Sequence, residues 1–434
     1  MIGTNLTFEN YRAKLVRLDK FEAHPNADRL KIAIVDYQRV IVGLNVQVGE
    51  LYVYFPLESQ INLDLLSFIN GFYDGKKNLD PTKKGFFGDK GRVKATPFRG
   101  VLSEGYLLPL KELNNFLQMK KMNILTERDL GVEFDSIDGV VFCQKYVVGV
   151  AKGTSDGNLK EKKKKGDPRK SFNPLIENQF RFHEKTAQLK RSLREVTPDS
   201  LISVSYKLHG TSAIFGRVLC KKQLNWYERL LKKAGVGIVE TEYKDLYSSR
   251  TVIKNHKNQN DGFYKEDAWA IVFKDIKDKL KDGISIYGEI VGFLPSGKCI
   301  QKNFDYGVEK GKCKFYVYRI TYTNPAGDVF EFSRAQLDDY CKKYLLNTVP
   351  LFYYGKAEKM FNIPVDENWH ENFLNKLIGQ FTEKDCFMCA NVVPEEGIVI
   401  VTEGLVWNGL KLKSDRFYTM ETQNLDAGEV DIEG

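Results

Sequence analysis

The chain has 434 residues, 42% of them hydrophobic, with 65 Lys and Arg against 57 Asp and Glu and a formal net charge of +8. That length exceeds one ordinary domain and suits two or three. A mean hydropathy of -0.37, no apolar run near the roughly 18 residues of a membrane span, and a first segment, "MIGTNLTFENYRAKL", without the apolar core of a secretory leader lead to the expectation of a soluble, intracellular protein that does not meet a membrane.

Residues 1–150 read as β-rich. "LKIAIVDYQRVIVGLNV", "LYVYFPLESQ" and "GRVKATPFRGVLSEGYLLPL" are β-branched and aromatic runs broken by Gly and Asp turns, and short strands at this density predict a small barrel. "LPLKELNNFLQMKKMN" has the three-and-four spacing of a helix. Arg92, Lys94 and Arg99 stand between the strand-like residues of this part, placed either to meet phosphates or as ordinary solvent-facing strand charge. Residues 151–172 are almost free of apolar side chains. Their core, "KEKKKKGDPRK", holds seven Lys/Arg against two Asp/Glu and so accounts for +5 of the net charge. This is the composition of a basic flexible linker. The mild basic balance fits a nucleic-acid partner.

Residues 173–434 mix helical patterns ("QFRFHEKTAQLKRSLREV", "DAWAIVFKDIKDKLKDG", "HENFLNKLIGQF") with strand patterns ("GISIYGEIVGF", "KFYVYRITYT", "EEGIVIVTEG", "NGLKLKS"). This is an α+β pattern with largely antiparallel strands. The acidic tail, "ETQNLDAGEVDIEG", is expected to be loose at its end. The 7 cysteines, an odd number in a long chain, argue against a disulfide framework and for a reducing compartment. Cys386 and Cys389 form a lone C-x-x-C, short of the four ligands a zinc site needs. "HPNADRL", around His24, reads as a turn.

Four segments could carry chemistry. In "SVSYKLHGTS", Lys207 ends an alternating run, with Gly210 and two hydroxyl residues close behind. A lysine in a cleft loses hydration of its charged form, and the neutral amine is a nucleophile. Gly210 would let the backbone approach a ligand. Glu289 in "SIYGEIVG" and Glu396 in "PEEGIVIV" each adjoin an apolar strand, where a carboxylate can hold a divalent metal directly or through water. Lys411 and Lys413 in "GLKLKS" are two apart and share one strand face, where they could neutralise phosphates. Taken singly, each reads first as a solvated charge on a strand edge.

Together and in this order, the segments resemble the covalent nucleotidyltransferase superfamily of ligases and capping enzymes. "KLHGTS", "SSRTVIKN", "YGEIVG", "CIQKNFDYG" with "KFYVYRI", "EEGIVI" and "LKLKS" look most like the motifs of RNA ligases. DNA ligases usually carry Asp where this chain has His209. Upstream, "HPNADRLKIAIVDYQRVIVGLNVQVGELYVYFPLESQ" and "GRVKATPFRGVLSEGYLLP" are similar to oligonucleotide-binding (OB) modules of tRNA-binding type. They come closest to the module that precedes the lysine domain in Naegleria- and Deinococcus-type RNA ligases, and "ENQFRFHEKTAQL" also looks like that family. The chain departs from it at Arg319, where relatives often have Asp, and in its greater length.

The resemblance implies an OB-type barrel at 1–150, the linker at 151–172 and an antiparallel-sheet-rich adenylyltransferase domain at 173–434. It implies an ATP-dependent ligase, acting as a monomer with Mg2+ or Mn2+, that joins RNA 3′-OH and 5′-phosphate ends in nicked duplex or structured RNA. Lys207 would carry AMP. Tyr318 would stack on adenine, with Leu208, His209, Gly210 and Arg250 around the nucleotide. Glu289 and Glu396 would serve the metal, and Lys411 and Lys413 the phosphates. The alternatives are another covalent nucleotidyltransferase (a DNA ligase or capping guanylyltransferase) and a catalytically inactive RNA-binding protein.

Overall fold

A computed structural model describes residues 1–4, 10–147, 174–254 and 267–428. The expected linker at 151–172 and the last residues of the acidic tail lie outside these. The mixed α+β class is as expected.

In the first part, β1 (Ala13–Arg17), β2 (Phe21–Ala23), β3 (Leu30–Val35), β4 (Gln38–Gly43), β5 (Leu51–Pro56), β6 (Gly105–Pro109) and β7 (Glu133–Phe134) pair antiparallel into two sheets, with orders β6-β5-β1-β7 and β2-β3-β4. The four-stranded sheet is buried on both faces, which is why "LYVYFP" is apolar without a break. Tyr52, Tyr54, Val16 and Leu107 face Ala33, Val35 and Val40 of the smaller sheet. Leu15, Val53, Phe55 and Leu108 face Leu113, Phe116 and Leu117 of helix α1 (Leu110–Met119). The sequence predicts a barrel here; the strands form two sheets, and the Glu104 N–H beside β6 donates to Arg39 O of β4 at 2.7 Å, which joins their edges. Between β5 and β6 the chain forms a short helix (Leu63–Phe68), short ladders and turns, whose Leu65, Phe72, Phe87 and Val93 join the core on the α1 side.

The second part is two facing sheets. The larger has the order β12-β11-β10-β13-β14-β15: β12 (Ile253–Lys254), β11 (Thr241–Ser248), β10 (Thr211–Lys221), β13 (Ile284–Gly292), β14 (Cys313–Thr323) and β15 (Val329–Glu331), with Asn347–Thr348 alongside β14. Its outer face (Ala213, Phe215, Ile286, Ile290, Phe315, Val317) packs on Trp269, Val272 and Phe273 of α3 (Ala268–Ile276) and on Leu337 and Cys341 of α4 (Arg334–Tyr344). Helix α2 (Trp226–Lys233) lies between β10 and β11.

The smaller sheet has the order β8-β18-β17-β9-β16: β8 (Ala187–Gln188), β18 (Gly409–Lys413), β17 (Gly397–Thr402), β9 (Leu201–Tyr206) and β16 (Leu351–Lys356). Its outer face (Ile202, Val204, Ile398, Ile400, Leu410, Leu412) is covered by Trp369, Phe373 and Leu377 of α5 (Trp369–Phe381). Each such side chain contributes about 2 kcal/mol on burial. Strand alternation then sends the intervening residues of both sheets to the space between them.

The stretch 179–196, whose pattern predicts a helix, is largely irregular. Ala187–Gln188 pairs in parallel with Leu410–Lys411, and Leu193–Glu195 makes a single 3-10 turn. The "acidic tail" is helical as far as Asp426, in α6 (Asp415–Asp426), which Ser414 caps through its side chain. The two parts meet across ion pairs: Lys190 with Glu104 at 2.6 Å, Arg191 with Glu133 at 2.5 Å, and Arg39 with Asp415.

Candidate active site

The space between the sheets is a cleft, and Lys207 projects into it just past the end of β9. Its backbone N–H donates to Gly397 O at 2.9 Å, fastening it to the start of β17. Gly397 has φ +131, and a Cβ there would stand 2.0 Å from Leu412 O, so only glycine fits between Glu396 and the strand. That junction brings Glu396 under Lys207. The Lys207 Nζ is 2.8 Å from Glu396 Oε1, and the Glu396 side chain is fully buried.

Lys413 Nζ lies 3.4 Å from the same oxygen and 3.1 Å from Glu421 of α6. Lys411, two residues earlier on β18, lines the cleft. The two lysines therefore share a face, as the spacing predicts, while Leu410 and Leu412 face the core. Glu289, also on the cleft wall, accepts from the Gly210 N–H at 3.2 Å and from Ser212 Oγ at 3.3 Å.

Tyr318, Leu208 and Arg250 line the cleft. The Tyr318 hydroxyl is 2.8 Å from His183 Nδ1, and burial holds the phenol well above its ordinary pKa, so it is a neutral hydroxyl at physiological pH.

Two residues expected at the nucleotide lie behind the cleft wall instead. His209 is packed edge-on between Phe304 and Phe417, at 4.9 and 5.0 Å between ring centres, and its Nδ1 is 3.9 Å from Glu396 Oε2. Gly210 is a glycine because a Cβ would meet Ile290 O at 2.3 Å, so the close approach is to β13 rather than to a ligand.

Arg319 explains the departure noted in the sequence. It is buried, bonded to Glu331 at 2.9 Å and Glu184 at 3.1 Å, and sits between the rings of Tyr287 and Trp407. His183, Glu184, Ser212, Arg319 and Trp407 also line the wall and are not among the site residues expected from the sequence; for the first two, "ENQFRFHEKTAQL" is the signal. Nothing in the sequence alone pointed to Glu421.

The three basic residues expected to meet RNA differ in placement. Arg92 is buried; it forms a two-pronged pair with Glu58, at 2.8 and 3.0 Å, and reaches Asp426 of α6 at 3.4 Å. A phosphate has no access to it in this conformation. Lys94 is 2.8 Å from Asp426. Arg99 is exposed, at the tip of the hairpin Thr96–Phe98/Val101–Ser103. His24 serves a turn: it accepts from the Asn26 N–H and bonds to Phe98 O. Cys386 and Cys389 are free thiols packed near Tyr206 and Tyr306.

Among the described residues, no three His, Cys, Asp or Glu side chains cluster as a closed metal site. The carboxylates at hand for a cation are Glu289, which lines the cleft, and Glu396, which is buried behind Lys207. This donor set suits Mg2+ or Mn2+ completed by water and phosphate, rather than a protein-caged ion.

The segment that carries most of these residues matches a known family. Residues 201–409 match the RNA ligase family model. The chain carries an RNA ligase domain. Solved structures agree on the fold. Naegleria gruberi RNA ligase, as an apo variant, is 14% identical over 94% of this chain and 98% of that one, with a TM-score of 0.58. A variant of the same ligase with ATP and Mn is 14% identical over 96% and 99%, with a TM-score of 0.57. The ligase with PPi is 12% identical over 95% and 98%, also at 0.57. The RNA ligase domain runs from β9 to the start of β18 and so takes in Lys207, Glu289, Tyr318 and Glu396. Lys411 and Lys413 follow directly on β18. No helix among the described residues is long and apolar enough to cross a membrane.

Proposed function

We propose that this chain is an ATP-dependent RNA ligase that joins 3′-OH and 5′-phosphate RNA ends through AMP carried on Lys207. The reading rests on one observation: a lysine at the cleft wall is ion-paired to a fully buried glutamate beside a second lysine. In the first step, Lys207 Nζ gives up a proton and attacks the α-phosphorus of ATP. The N–P bond forms as the bond to pyrophosphate breaks. An RNA 5′-phosphate oxygen then takes the AMP, releasing the amine, and a 3′-hydroxyl displaces AMP to form the phosphodiester.

The protein contributes position and charge. Tyr318 stacks on or borders the base, and its hydroxyl is held by His183. Arg250 and Lys411 face the cleft, where the ribose and phosphates would lie. Lys413 is held by Glu396 and Glu421, ready to pair with the phosphate. The nucleophile of this step is the neutral amine, 2.8 Å from the Glu396 carboxylate. A divalent cation held at Glu396 would supply positive charge that screens this carboxylate and the phosphates. The substrate proposed is nicked duplex or structured RNA, bound by a monomer.

The test uses ATP labelled at the α-phosphate, a divalent metal and no RNA. The wild type, stripped of bound AMP, acquires label that survives denaturation, and Lys207→Ala acquires none. Label from GTP instead of ATP would indicate a capping-type enzyme. No label with any metal would leave an RNA-binding protein.

A further inference from the structure

Helix α2 is out of keeping with the rest of the fold. It interrupts the β10–β11 hairpin, and none of its residues is buried. Its start is nevertheless fixed: Asn225 and Glu228 form a reciprocal capping box. The exposed side chains are large and apolar, Trp226 at 77%, Tyr227 at 53% and Leu230 at 56% relative exposure. The two rings stand side by side, 5.9 Å apart and steeply inclined. A stable helix that offers two aromatic faces to solvent is a surface built to be covered.

The charge around it indicates by what. Between Lys221 and Val236 the chain has Lys221, Lys222, Arg229, Lys232 and Lys233 against Glu228 alone. Lys222 pairs with Glu228, and Lys232 with Glu240 at 2.6 Å. Lys221, Arg229 and Lys233 carry the excess. Flat aromatic faces beside unbalanced cations match unpaired bases beside phosphates. A protein-docking face would more usually be ringed by both signs of charge.

The position supports the same occupant. β10 starts at Thr211, beside the Lys207 turn, and ends at Lys221, just before α2. Its length at strand rise puts the helix about 30 Å from the reacting lysine. Beyond Gly216 the strand has left β13 and continues paired with β11.

We propose that α2 is an RNA-docking arm: Trp226 and Tyr227 stack on unpaired bases of the substrate about 30 Å from the ends being joined, while Lys221, Arg229 and Lys233 hold the backbone. This deepens the RNA-ligase reading and rests on it for the identity of the nucleic acid. The arm selects RNAs with a single-stranded flank or loop at that distance.

The experiment uses the full chain and two RNAs that share the same nick, one with an unpaired flank and one without. Trp226→Ala/Tyr227→Ala raises both the Kd and the sealing KM for the flanked RNA ten-fold or more. It leaves kcat, AMP label taken up without RNA, and the KM for the unflanked RNA as in wild type. Unflanked RNA is itself the poorer substrate of the wild type. In a second variant, Arg229→Gln/Lys233→Gln, the slope of log affinity against log salt falls by one to two. Trp226 is the one strongly exposed tryptophan among the described residues, so flanked RNA quenches wild-type emission and does not quench that of Trp226→Phe.

Equal Kd and KM for the flanked RNA in the wild type and the alanine variant overturn the proposal. So does an unchanged salt slope, and either result would leave the face to a protein partner or to another segment of this chain. Because Kd is measured without ATP, absence of AMP labelling in the wild type would refute the ligase reading while the docking measurement still stood.

Discussion

Replacing Glu396 by glutamine tests the centre of the site because the geometry sets the size of the effect. Lys207 and Lys413 lie 2.8 and 3.4 Å from one carboxylate oxygen, so their ammonium groups are at most about 6 Å apart. Glutamine keeps the shape and removes the charge between them. At about 6 Å and an effective permittivity of about 20, two like charges repel by about 3 kcal/mol. Breaking a buried pair from one side costs on the order of 3–5 kcal/mol, and the partial exposure of Lys207 places this case at the lower end. Glu396→Gln therefore loses about 3 kcal/mol in urea unfolding at pH 7.

The loss is relieved, not increased, by Lys413→Met in the same chain, because methionine removes one of the two facing charges. Activity follows a different rule. AMP labelling falls by roughly 100- to 1,000-fold in Glu396→Gln, the scale of a lost charge stabiliser, and Lys413→Met does not restore it. Two results would refute this reasoning: a stability loss below about 1 kcal/mol, with Lys413→Met destabilising further, or labelling of Glu396→Gln at the wild-type rate.

Three smaller predictions test the surroundings. Glu395 is buried beside Glu396, and burial pushes its carboxyl up to about 7. A carboxyl raised in the folded state makes the protein lose stability as pH climbs from its unfolded value towards 7, so Glu395→Gln raises Tm at pH 8 and not at pH 4.5; equal shifts at both pH values would contradict this. Arg92→Ala leaves Glu58 unpaired in the interior and lowers stability by about 3 kcal/mol with no change in the salt dependence of RNA binding; a slope reduced by about one, with stability intact, would return Arg92 to the RNA surface. Tyr318→Phe loses the hydroxyl's hydrogen bonding to His183 and Ser212 and raises the ATP KM of labelling by roughly five-fold, whereas Tyr318→Ala also loses the ring and raises it further. Identical values for the two variants would remove the ring from base binding.

The sequence revealed those parts of the site that depend on local period. Lys411 and Lys413 share a face because strand alternation has period two, and this needs no knowledge of the partner sheet. Glu289 and Glu396 were legible for the same reason, each at an apolar strand. What was missed depends on distant partners. The stretch from Gln179 to Val196 has helical spacing, yet Ala187–Gln188 is drawn into pairing with Leu410–Lys411, and tertiary pairing outweighs local propensity. Arg92 reads as a surface cation until Asp426, 334 residues away, is placed beside it. His209 lies in a motif that suggests ligand contact, but Phe304 and Phe417 enclose it from separate elements. The barrel expectation turns on a similar point. Strand-rich sequence does not say whether the pairing closes, and here a sheet apolar on both faces forms a middle layer.

Helix α6 shows how these distant contacts combine. It leaves β18 directly after Lys413, and it turns two faces to two tasks. Glu421 and Phe417 face the site: the first holds Lys413, and the second packs on His209 and lies 5.0 Å from the Lys413 ammonium. Asp415, Thr422 and Asp426 face the N-terminal part, where Arg39, Arg92 and Lys94 meet them. The N-terminal sheets thus hold the helix that orients a lysine of the RNA ligase motifs. A basic residue in that part need not touch RNA to matter for ligation. Arg92 fixes α6, α6 fixes Lys413, and Lys413 shares an oxygen of Glu396 with Lys207. In this chain Arg92 and Lys94 are engaged at the junction with α6, and the proposed RNA contact is left to residues that remain exposed, Arg99 and the cations in and beside α2.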